Sequence, residues 1–157
     1  MSIHQYIVTR YNSTVARELR QDDYRVLAGF RRDLRRFLRF SEQAALGAGL
    51  TPRQYQALLA LRGSPRRRLS IGALAAELEI RHHSAVGLVD RLAALGLAGR
   101  HGVSADRRRV EVWCTPRGNR TLARLAAAHR AELHALAPTL RRLLRALGPA
   151  AAGPARR

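Results

Sequence analysis

Apolar residues recur at every third or fourth position over most of the chain, which is the period of amphipathic helices. The predicted helices cover about 22–46, 52–62, 70–78, 82–95 and, with an interruption at Pro138, 116–147. The residues expected to face inward are Leu27, Phe30, Leu34, Phe37, Leu38 and Ala45 in the first helix, Leu74, Ala75 and Leu78 in the third, Ala85, Leu88, Val89 and Leu92 in the fourth, and Leu122, Leu125, His129, Leu133 and Leu136 in the fifth.

Capping residues mark where several of these helices begin and end. Thr51, a proline at the next position and Gln54 form a capping box with proline in the first turn. Ser70 is the predicted N-cap of the third helix, and Gly96 closes the fourth. The connection between the third and fourth helices, at 79–81, is short enough to predict a helix-turn-helix with the fourth helix as the reading element.

The run Arg100–Thr115 departs from this helical period. Val110, Val112 and Cys114 alternate with more polar positions, which is the period of a half-buried strand. We predict two short β runs joined by a polar tip that carries Asp106, Arg107, Arg108 and Arg109. One isolated β-ribbon behind a helix-turn-helix predicts an all-α protein with a small β-hairpin wing, that is, a winged helix-turn-helix.

The charge of the chain indicates a polyanionic partner. The 157 residues include 29 basic and 11 acidic ones, for a formal net charge of +18, and every basic residue is arginine. Guanidinium groups stay charged and bind phosphate in a bidentate manner. No apolar run approaches the roughly 18 residues that a membrane span needs, and no secretory signal is evident. We therefore expect a cytoplasmic protein that binds double-stranded DNA and no membrane.

Five segments together carry a family resemblance: LTPRQYQALLALRG, LSIGALAAELEI, RHHSAVGLVDRLAALGLAGR, SADRRRVEVW and CTPRG. In this order and spacing they resemble the winged-helix core of the MarR family of bacterial transcriptional regulators. The most specific element is an Asp-x-Arg at the wing tip, followed by a short strand and Leu-Thr-Pro-x-Gly. It stands here as Asp106-Arg107-Arg108 and Cys114-Thr115-Pro116-Arg117-Gly118.

The resemblance implies a dimer with one β-ribbon per subunit that binds a near-palindromic operator. The predicted parts are a tail at 1–21, dimerisation helices at 22–48 and 119–147, a DNA-binding domain at 50–118 and a disordered tail at 148–157. A small aromatic or anionic effector between the dimerisation helices and the winged helix is also implied. Tyr55, Trp113 and Phe37 could border such a cleft, but they suit a core equally well, and we favour the core.

Two departures from the family pattern fall where bases would be read. Arg81-His82-His83-Ser84 replaces an Asp-x-Ser/Pro-Thr or Ser entry, and Gly87 replaces a longer polar residue. The operator sequence of a relative therefore cannot be carried over to this chain.

The candidate DNA contacts lie on the reading helix and the wing. Histidine and serine can pair with base edges, Val86 can contact a thymine methyl group, Gly87 permits close approach, and arginines suit phosphates. Asp90 is a further groove-facing candidate, and Asp106 is expected to brace Arg108 for the minor groove. The predicted contacts are Arg81, His82, His83, Ser84, Val86, Gly87, Arg91, Arg107, Arg108 and Arg109.

Apolar stripes near both ends of the chain predict self-association, because they exceed what one small core needs. The residues expected to interleave with a second copy are Leu27, Phe30, Leu34, Leu140, Leu143 and Leu144.

Other interpretations remain beside these. His82 and His83 could be a solvated turn or, less favoured, metal ligands, since adjacent helical residues point apart. Arg66–Arg68 is placed in a loop, where it either contacts phosphate or is a solvated face. Cys114 is expected to be packed in an apolar environment rather than to sense oxidants. We expect no cofactor, metal or catalytic activity, and the alternative function is sequence-tolerant nucleic-acid packaging.

Overall fold

The computed structural model describes residues 20–103 and 106–147 together with Gln5, and only the backbone at 103, 106–109 and 147. Between residues 20 and 147 it contains five helices and three strands. In chain order they are α1 (Gln21–Gly47), α2 (Pro52–Gly63), β1 (Arg68–Ser70), α3 (Ile71–Glu77), α4 (His82–Ala94), β2 (Ala98–Val103), β3 (Asp106–Cys114) and α5 (Pro116–Leu147). Apart from Gln5, Arg20 and Gln21, the predicted tails at 1–21 and 148–157 lie outside the described residues.

The chain divides into two units, one formed by Arg35–Ala135 and one by Met1–Leu34 with Leu136–Arg157. We call the first the winged unit and the second the terminal unit. The winged unit holds α2, α3, α4, the sheet and the adjoining parts of the two long helices. The terminal unit, where described, consists of the first part of α1 and the last part of α5.

The sheet is antiparallel with strand order β1-β3-β2. The prediction of a wing is confirmed, but the sequence indicated two strands rather than three. In β1, Arg68 pairs with Trp113 and Leu69 with Val112, so Arg68 lies in a strand and not in the predicted loop. A three-residue strand is too short to show an alternating pattern, and only its long-range partner defines it.

The predicted inner faces of the winged unit are largely confirmed. Its fully buried large side chains are Leu58, Leu61, Leu74, Val89, Leu92 and Val112. Two predictions were wrong: Leu38 is 52 % exposed and Leu133 is 46 % exposed. Both lie at the margin of a helical stripe, where the periodicity alone does not decide which side a neighbouring element covers.

The capping predictions are confirmed in detail. Thr51 Oγ1 accepts a hydrogen bond from the Gln54 N–H at 3.2 Å, and the Gln54 side chain accepts one from the Thr51 N–H at 2.8 Å. Ser70 Oγ accepts from the Ala73 N–H at 3.1 Å. Gly96 follows α4 with a φ of +68°, the left-handed conformation that ends helices and that glycine adopts without strain.

The predicted interruption at Pro138 was wrong, because α5 is continuous from Pro116 to Leu147 with the proline inside it. Proline removes one N–H, which leaves the carbonyl of His134 without its helical donor. His134 and Pro138 are both exposed. Water can therefore satisfy that carbonyl, and the helix can pass through the proline.

Candidate nucleic-acid interface

The helix α4 buries one face and leaves the opposite face uncovered. The buried residues, each at most 2 % exposed, are Ala85, Leu88, Val89 and Leu92. At about 100° per residue, His83, Gly87 and Asp90 lie on the opposite side. His83 and Asp90 are exposed, and Gly87 is half-buried. α4 therefore has the free outer face that a helix needs in order to enter a major groove.

The first turn of α4 is exposed as well. Arg81 is the N-cap residue in an extended conformation, and its side chain makes no capping hydrogen bond. His82, His83 and Ser84 are exposed and Val86 is half-buried. Since first-turn N–H groups have no partner within a helix, this end of α4 presents donors and a positive dipole end suited to a phosphate.

Gly87 and Arg91 lie one helical turn apart, and the guanidinium of Arg91 lies beside Gly87. A Cβ atom on Gly87 would lie 3.4 Å from Nη1 of Arg91. The glycine thus leaves room for the guanidinium to lie back along the outer face of the helix. From the sequence we predicted Gly87 and Arg91 as separate DNA contacts, whereas in the structure the two residues are neighbours.

Asp90 lies on the outer face of α4, as predicted, and it also makes a contact within the protein. Its carboxylate accepts a hydrogen bond from Nη1 of Arg100 in an ion pair, and both side chains are 47 % exposed. Arg100 belongs to β2, so the pair links the reading helix to the wing. Sequence reasoning missed Arg100, because a contact between a helix and a strand has no periodic signal along the chain.

The outer face of the wing carries aromatic and charged side chains. A Cβ atom on Gly99 would lie 2.6 Å from the Trp113 indole, so only glycine lets the indole lie across β2. The ring of His101 meets that indole edge-on at 5.0 Å between centroids. From β1, the other neighbour of β3 in the sheet, Nη1 of Arg68 lies 3.3 Å from Oε2 of Glu111. Side chains of β1 and β2 thus pair with those of β3 and cover the outer face of that strand.

The predicted tip residues lie in a strand. Asp106, Arg107, Arg108 and Arg109 belong by their backbone to β3, with Asp106 opposite Val103 across the ladder. The prediction that they form the connecting tip was wrong, since the strand begins at Asp106. The register shifts between the Gly102–Val110 pair and the Val103–Asp106 pair, so Arg107, Arg108 and Arg109 form an irregular stretch of β3. Their side chains lie outside the described residues, so the bracing by Asp106 and the contacts of the three arginines stay predictions.

The base of the wing is joined closely to α5. The Thr115 N–H donates to the Leu97 carbonyl at 3.0 Å, and Thr115 Oγ1 donates to the Gly96 carbonyl at 2.7 Å. Thr115 Oγ1 also accepts from the Gly118 N–H at 3.0 Å. A Cβ atom on Gly118 would collide with the Leu97 carbonyl oxygen. The Thr-Pro-x-Gly motif therefore provides the cap and the close approach that hold α5 against the wing.

Arg53, which was not among the predicted DNA contacts, hydrogen-bonds to the turn between α3 and α4. Nη1 of Arg53, at the start of α2, donates to the Leu78 carbonyl at 3.2 Å. In the same turn Glu79 has a φ of 51°, a left-handed conformation that is unusual for a residue with a side chain. The turn before the reading helix is thus held by a contact 25 residues distant in sequence.

The aromatic residues expected in the core divide between two places. Tyr55 is 6 % exposed and stacks on the 5 % exposed His129 at 4.5 Å between ring centroids, with Phe37 edge-on at 6.0 Å. His129 Nδ1 lies 2.7 Å from the Leu125 carbonyl oxygen, and Nε2 lies 2.8 Å from Ser41 Oγ. Tyr55 is therefore a core residue, as favoured, whereas Phe37 is half-buried against His129 and Trp113 packs on the wing.

Cys114 is buried, as predicted. It is 9 % exposed, and its Sγ lies 3.5 Å from the carbonyl oxygen of Leu58. Burial raises the pKa of its thiol to about 11, against a lowering influence of Arg62. A protonated, covered thiol is a poor nucleophile, which favours packing over oxidant sensing.

The terminal unit leaves apolar side chains uncovered. Tyr24 is 56 % exposed, Leu140 38 % and Leu144 70 %. The remaining predicted association residues, which are half-buried, are Leu27, Phe30, Leu34 and Leu143. Large exposed apolar side chains along one pair of helices are typical of an interaction surface.

Metal ligands and membrane-crossing helices are two further features to consider in the described residues. Among the side chains described between residues 20 and 147, no group of three or more His, Cys, Asp or Glu is placed to hold a metal ion. No helix in the described part of the chain combines the length and the apolarity that crossing a membrane requires.

Residues 48–109 match the sequence model of the MarR family. This segment of the chain is similar to the MarR family. No curated protein sequence shows significant similarity to the chain. The match covers the helix-turn-helix, β2 and the first part of β3, so the resemblance predicted from the sequence is confirmed.

Solved structures give the same fold. AbsC, a MarR-family transcriptional regulator from Streptomyces coelicolor, is 24% identical with a TM-score of 0.64, covering 85% of this chain and 95% of its own. Sco3205 from the same organism, solved in complex with DNA, is 24% identical with a TM-score of 0.59, covering 88% and 96%. BpsR from Bordetella bronchiseptica, whose DNA binding is regulated by 6-hydroxynicotinic acid, is 26% identical with a TM-score of 0.52, covering 72% and 88%.

These likenesses confirm the predicted fold class, a mostly helical chain with a small antiparallel wing. The family domain and the fold together support a DNA-binding transcription regulator.

Proposed function

We propose that the protein is a homodimeric transcription regulator that binds a pseudo-palindromic operator in double-stranded DNA and represses the genes beside it. The observation that carries this proposal is the outer face of α4, exposed at His83 and Asp90 and linked to the wing by the Asp90–Arg100 ion pair. A reading helix held in a fixed relation to a wing can place one in the major groove and the other in the adjacent minor groove.

The proposed DNA contacts are those predicted from the sequence. Four of them, Arg81, His82, His83 and Ser84, share the exposed entry to α4. Val86, Gly87 and Arg91 follow on the same helix. For the wing we propose that Arg108, braced by Asp106, enters the minor groove and that Arg107 and Arg109 contact phosphates.

The proposed dimer uses the helices over 22–48 and 119–147, whose residues up to 34 and from 136 belong to the terminal unit. The exposed Leu140 and Leu144 support it, because a second copy would cover them. We expect Leu144→Asp to move the protein from dimer toward monomer in sedimentation at micromolar concentration, whereas Leu59→Asp, at an exposed leucine of α2, should leave the dimer intact. A monomeric parent protein would contradict the proposal.

Selection of bound sequences from random duplex DNA at physiological salt tests the function. We expect an inverted repeat with half-sites centred about ten base pairs apart and an affinity about a thousandfold or more above that for scrambled DNA. The formal charge of +18 supports a second candidate, sequence-tolerant packaging of nucleic acid. Uniform, salt-sensitive binding with no enriched motif would favour that candidate.

Three variants sharpen this test. His83→Ala should change which base is preferred, and Arg108→Ala should reduce the preference for the operator. Arg31→Ala, at an exposed arginine of α1, is the matched control and should change it little. Equal losses from all three on any DNA would contradict sequence-specific reading.

The proposed regulator also responds to a small aromatic or anionic effector. The regulation of BpsR by 6-hydroxynicotinic acid supports this part of the proposal by analogy.

A further inference from the structure

A groove of about 450 Å³ lies on the winged unit, lined by α2, the end of α3 and β1. Its residues on α2 recur at three and four positions, so they share one face of the helix. They are Gln56, Leu59, Ala60 and Gly63. We propose that this groove binds an amphipathic segment of a partner protein, with apolar side chains on one face and carboxylates at its two ends.

The apolar part of the groove is open to solvent. Leu59 is 46 % exposed. Ala60, Leu69 and Leu78 also line the groove, and they are half-buried and pack against the hydrophobic core. An exposed leucine above partly covered apolar neighbours suits an amphipathic helix, which places its own apolar side chains into such a groove at helical spacing.

An arginine stands at the end of the groove where α2 begins. Arg53 lies three residues before Gln56, and its Nη1 donates to the carbonyl of the lining residue Leu78 at 3.2 Å. A guanidinium has five N–H donors, so Arg53 keeps others for an acceptor on a bound segment.

Two more arginines stand at the end of the groove where α2 finishes. Ser64 and Pro65 line the groove, and the Arg67 N–H closes their turn by donating to the Ser64 carbonyl at 2.9 Å. Arg66 and Arg67 are exposed. No ion pair between the described side chains includes either of them or Arg53. Carboxylates at both ends of a bound segment can therefore form charge-assisted hydrogen bonds with these guanidinium groups.

The charge of the chain argues against two other occupants. A second copy also carries a formal net charge of +18, so it would bring arginines against arginines. A DNA backbone could satisfy the arginines, but its phosphates would leave the apolar side chains of the groove without a partner. An acidic segment of a protein that also carries leucine or similar residues matches both the ends and the middle of the groove.

Selection of bound peptides from a displayed random library, with the full-length protein at physiological salt, tests the proposal. Peptides that the Leu59→Asp variant retains are removed first, because the high positive charge of the protein attracts acidic peptides without any groove. We expect the remaining peptides to combine Asp or Glu near their ends with Leu, Ile or Phe at helical spacing. No enrichment after this step, or enrichment of neutral or basic peptides, would overturn the proposal.

Titration of one selected peptide by fluorescence anisotropy tests the charged ends. Arg66→Gln with Arg67→Gln should weaken binding by about tenfold or more, since charge-assisted hydrogen bonds are lost. The matched control, Arg35→Gln with Arg39→Gln, removes the same charge from exposed positions of α1 outside the groove and should weaken it by less than about twofold. Glu77, an acidic residue of the lining, should oppose the peptide, so Glu77→Gln should tighten binding. Equal loss in both double variants would overturn the proposal.

Two further measurements identify the other occupants. A lower molecular mass of Leu59→Asp than of the parent protein in sedimentation would mean that a second copy covers the groove. An equal loss of affinity for scrambled duplex DNA and for the peptide in Arg66→Gln with Arg67→Gln would mean that these arginines bind phosphates. Either result would overturn the proposal.

The groove does not depend on the proposed function, and the two are measured separately. Operator binding without peptide enrichment would reject the groove alone. Peptide binding without an operator would reject the proposed function and leave the groove.

Discussion

The winged unit and the terminal unit use the same long helices in opposite ways. In the winged unit, residues of α1 and α5 contribute to a core in which Leu58, Leu61 and Leu92 are fully covered. In the terminal unit the same two helices leave Leu140 and Leu144 exposed. There the buried Thr139 donates from Oγ1 to Oδ2 of the half-buried Asp33 at 2.7 Å. The winged unit can therefore be stabilised by its own contacts, whereas the terminal unit needs a partner to cover its apolar surface.

The largest expected difference concerns the two classes of leucine. Leu92→Ala should lower the free energy of unfolding by about 2–5 kcal/mol, because it opens a cavity in the core. Leu144→Ala, at a side chain 70 % exposed in one chain, should change the stability of the monomer by only about 0.5 kcal/mol. Urea unfolding followed through the single tryptophan, at several protein concentrations, measures both. If Leu144→Ala lowered the free energy of unfolding as much as Leu92→Ala, at every protein concentration, the contrast between the two units would be contradicted.

A smaller effect is expected where α5 leaves the wing. Gly118→Ala should cost about 1–3 kcal/mol of unfolding free energy, because its Cβ would collide with the Leu97 carbonyl oxygen. Gly72→Ala is the matched control, since a Cβ there meets nothing within 4 Å and the residue lies in α3. That control should be neutral or stabilise the protein by up to about 1 kcal/mol. Similar results for both alanines would refute the close contact.

The strained turn before α4 predicts a stabilising substitution. Glu79 has a φ of 51°, and a left-handed conformation costs an L-residue roughly 1–2 kcal/mol. Glu79→Gly should therefore raise the free energy of unfolding by up to about 1 kcal/mol, after the greater flexibility of glycine in the unfolded chain is subtracted. Glu77→Gly, at the last residue of α3, should instead lower it by up to about 0.5 kcal/mol. Thermal unfolding of the two variants is the measurement, and destabilisation by both would contradict the strain.

A pH dependence also belongs to the winged unit. Burial raises the pKa of Cys114 from 9.0 to about 11, so the folded state holds this proton more firmly than the unfolded state. Its contribution to stability is complete below pH 9.0 and is lost as the pH rises toward 11. Unfolding at pH 8 and pH 10.5 should show a steeper decline for the parent protein than for Cys114→Ala. Parallel declines would contradict burial of the thiol.

Local features of the fold could be predicted because their causes are local. The buried face of α4 follows from apolar spacing, and the Thr51 and Ser70 caps follow from side chains that reach backbone groups three residues away. The outer face of α4 follows in turn from its buried face, so the exposed positions of His83 and Ser84 could be predicted as well.

Features that depend on residues far apart in the sequence could not be predicted. The strand β1 exists because Leu69 pairs with Val112, and the path of α5 through Pro138 depends on which side of the helix faces solvent. The Asp90–Arg100 pair and the Arg53–Leu78 contact each join two elements, and nothing in the residue order indicates them.

The sequence by itself determined the helices, their caps, the alternating strand and the resemblance of residues 48–109 to the MarR family, because these depend on residue type at short spacing. Tertiary structure alone decided the third strand and the link between the reading helix and the wing. Those features arise where chain segments far apart in sequence pack within a few ångströms of each other. The residue types within one segment do not determine where another segment lies.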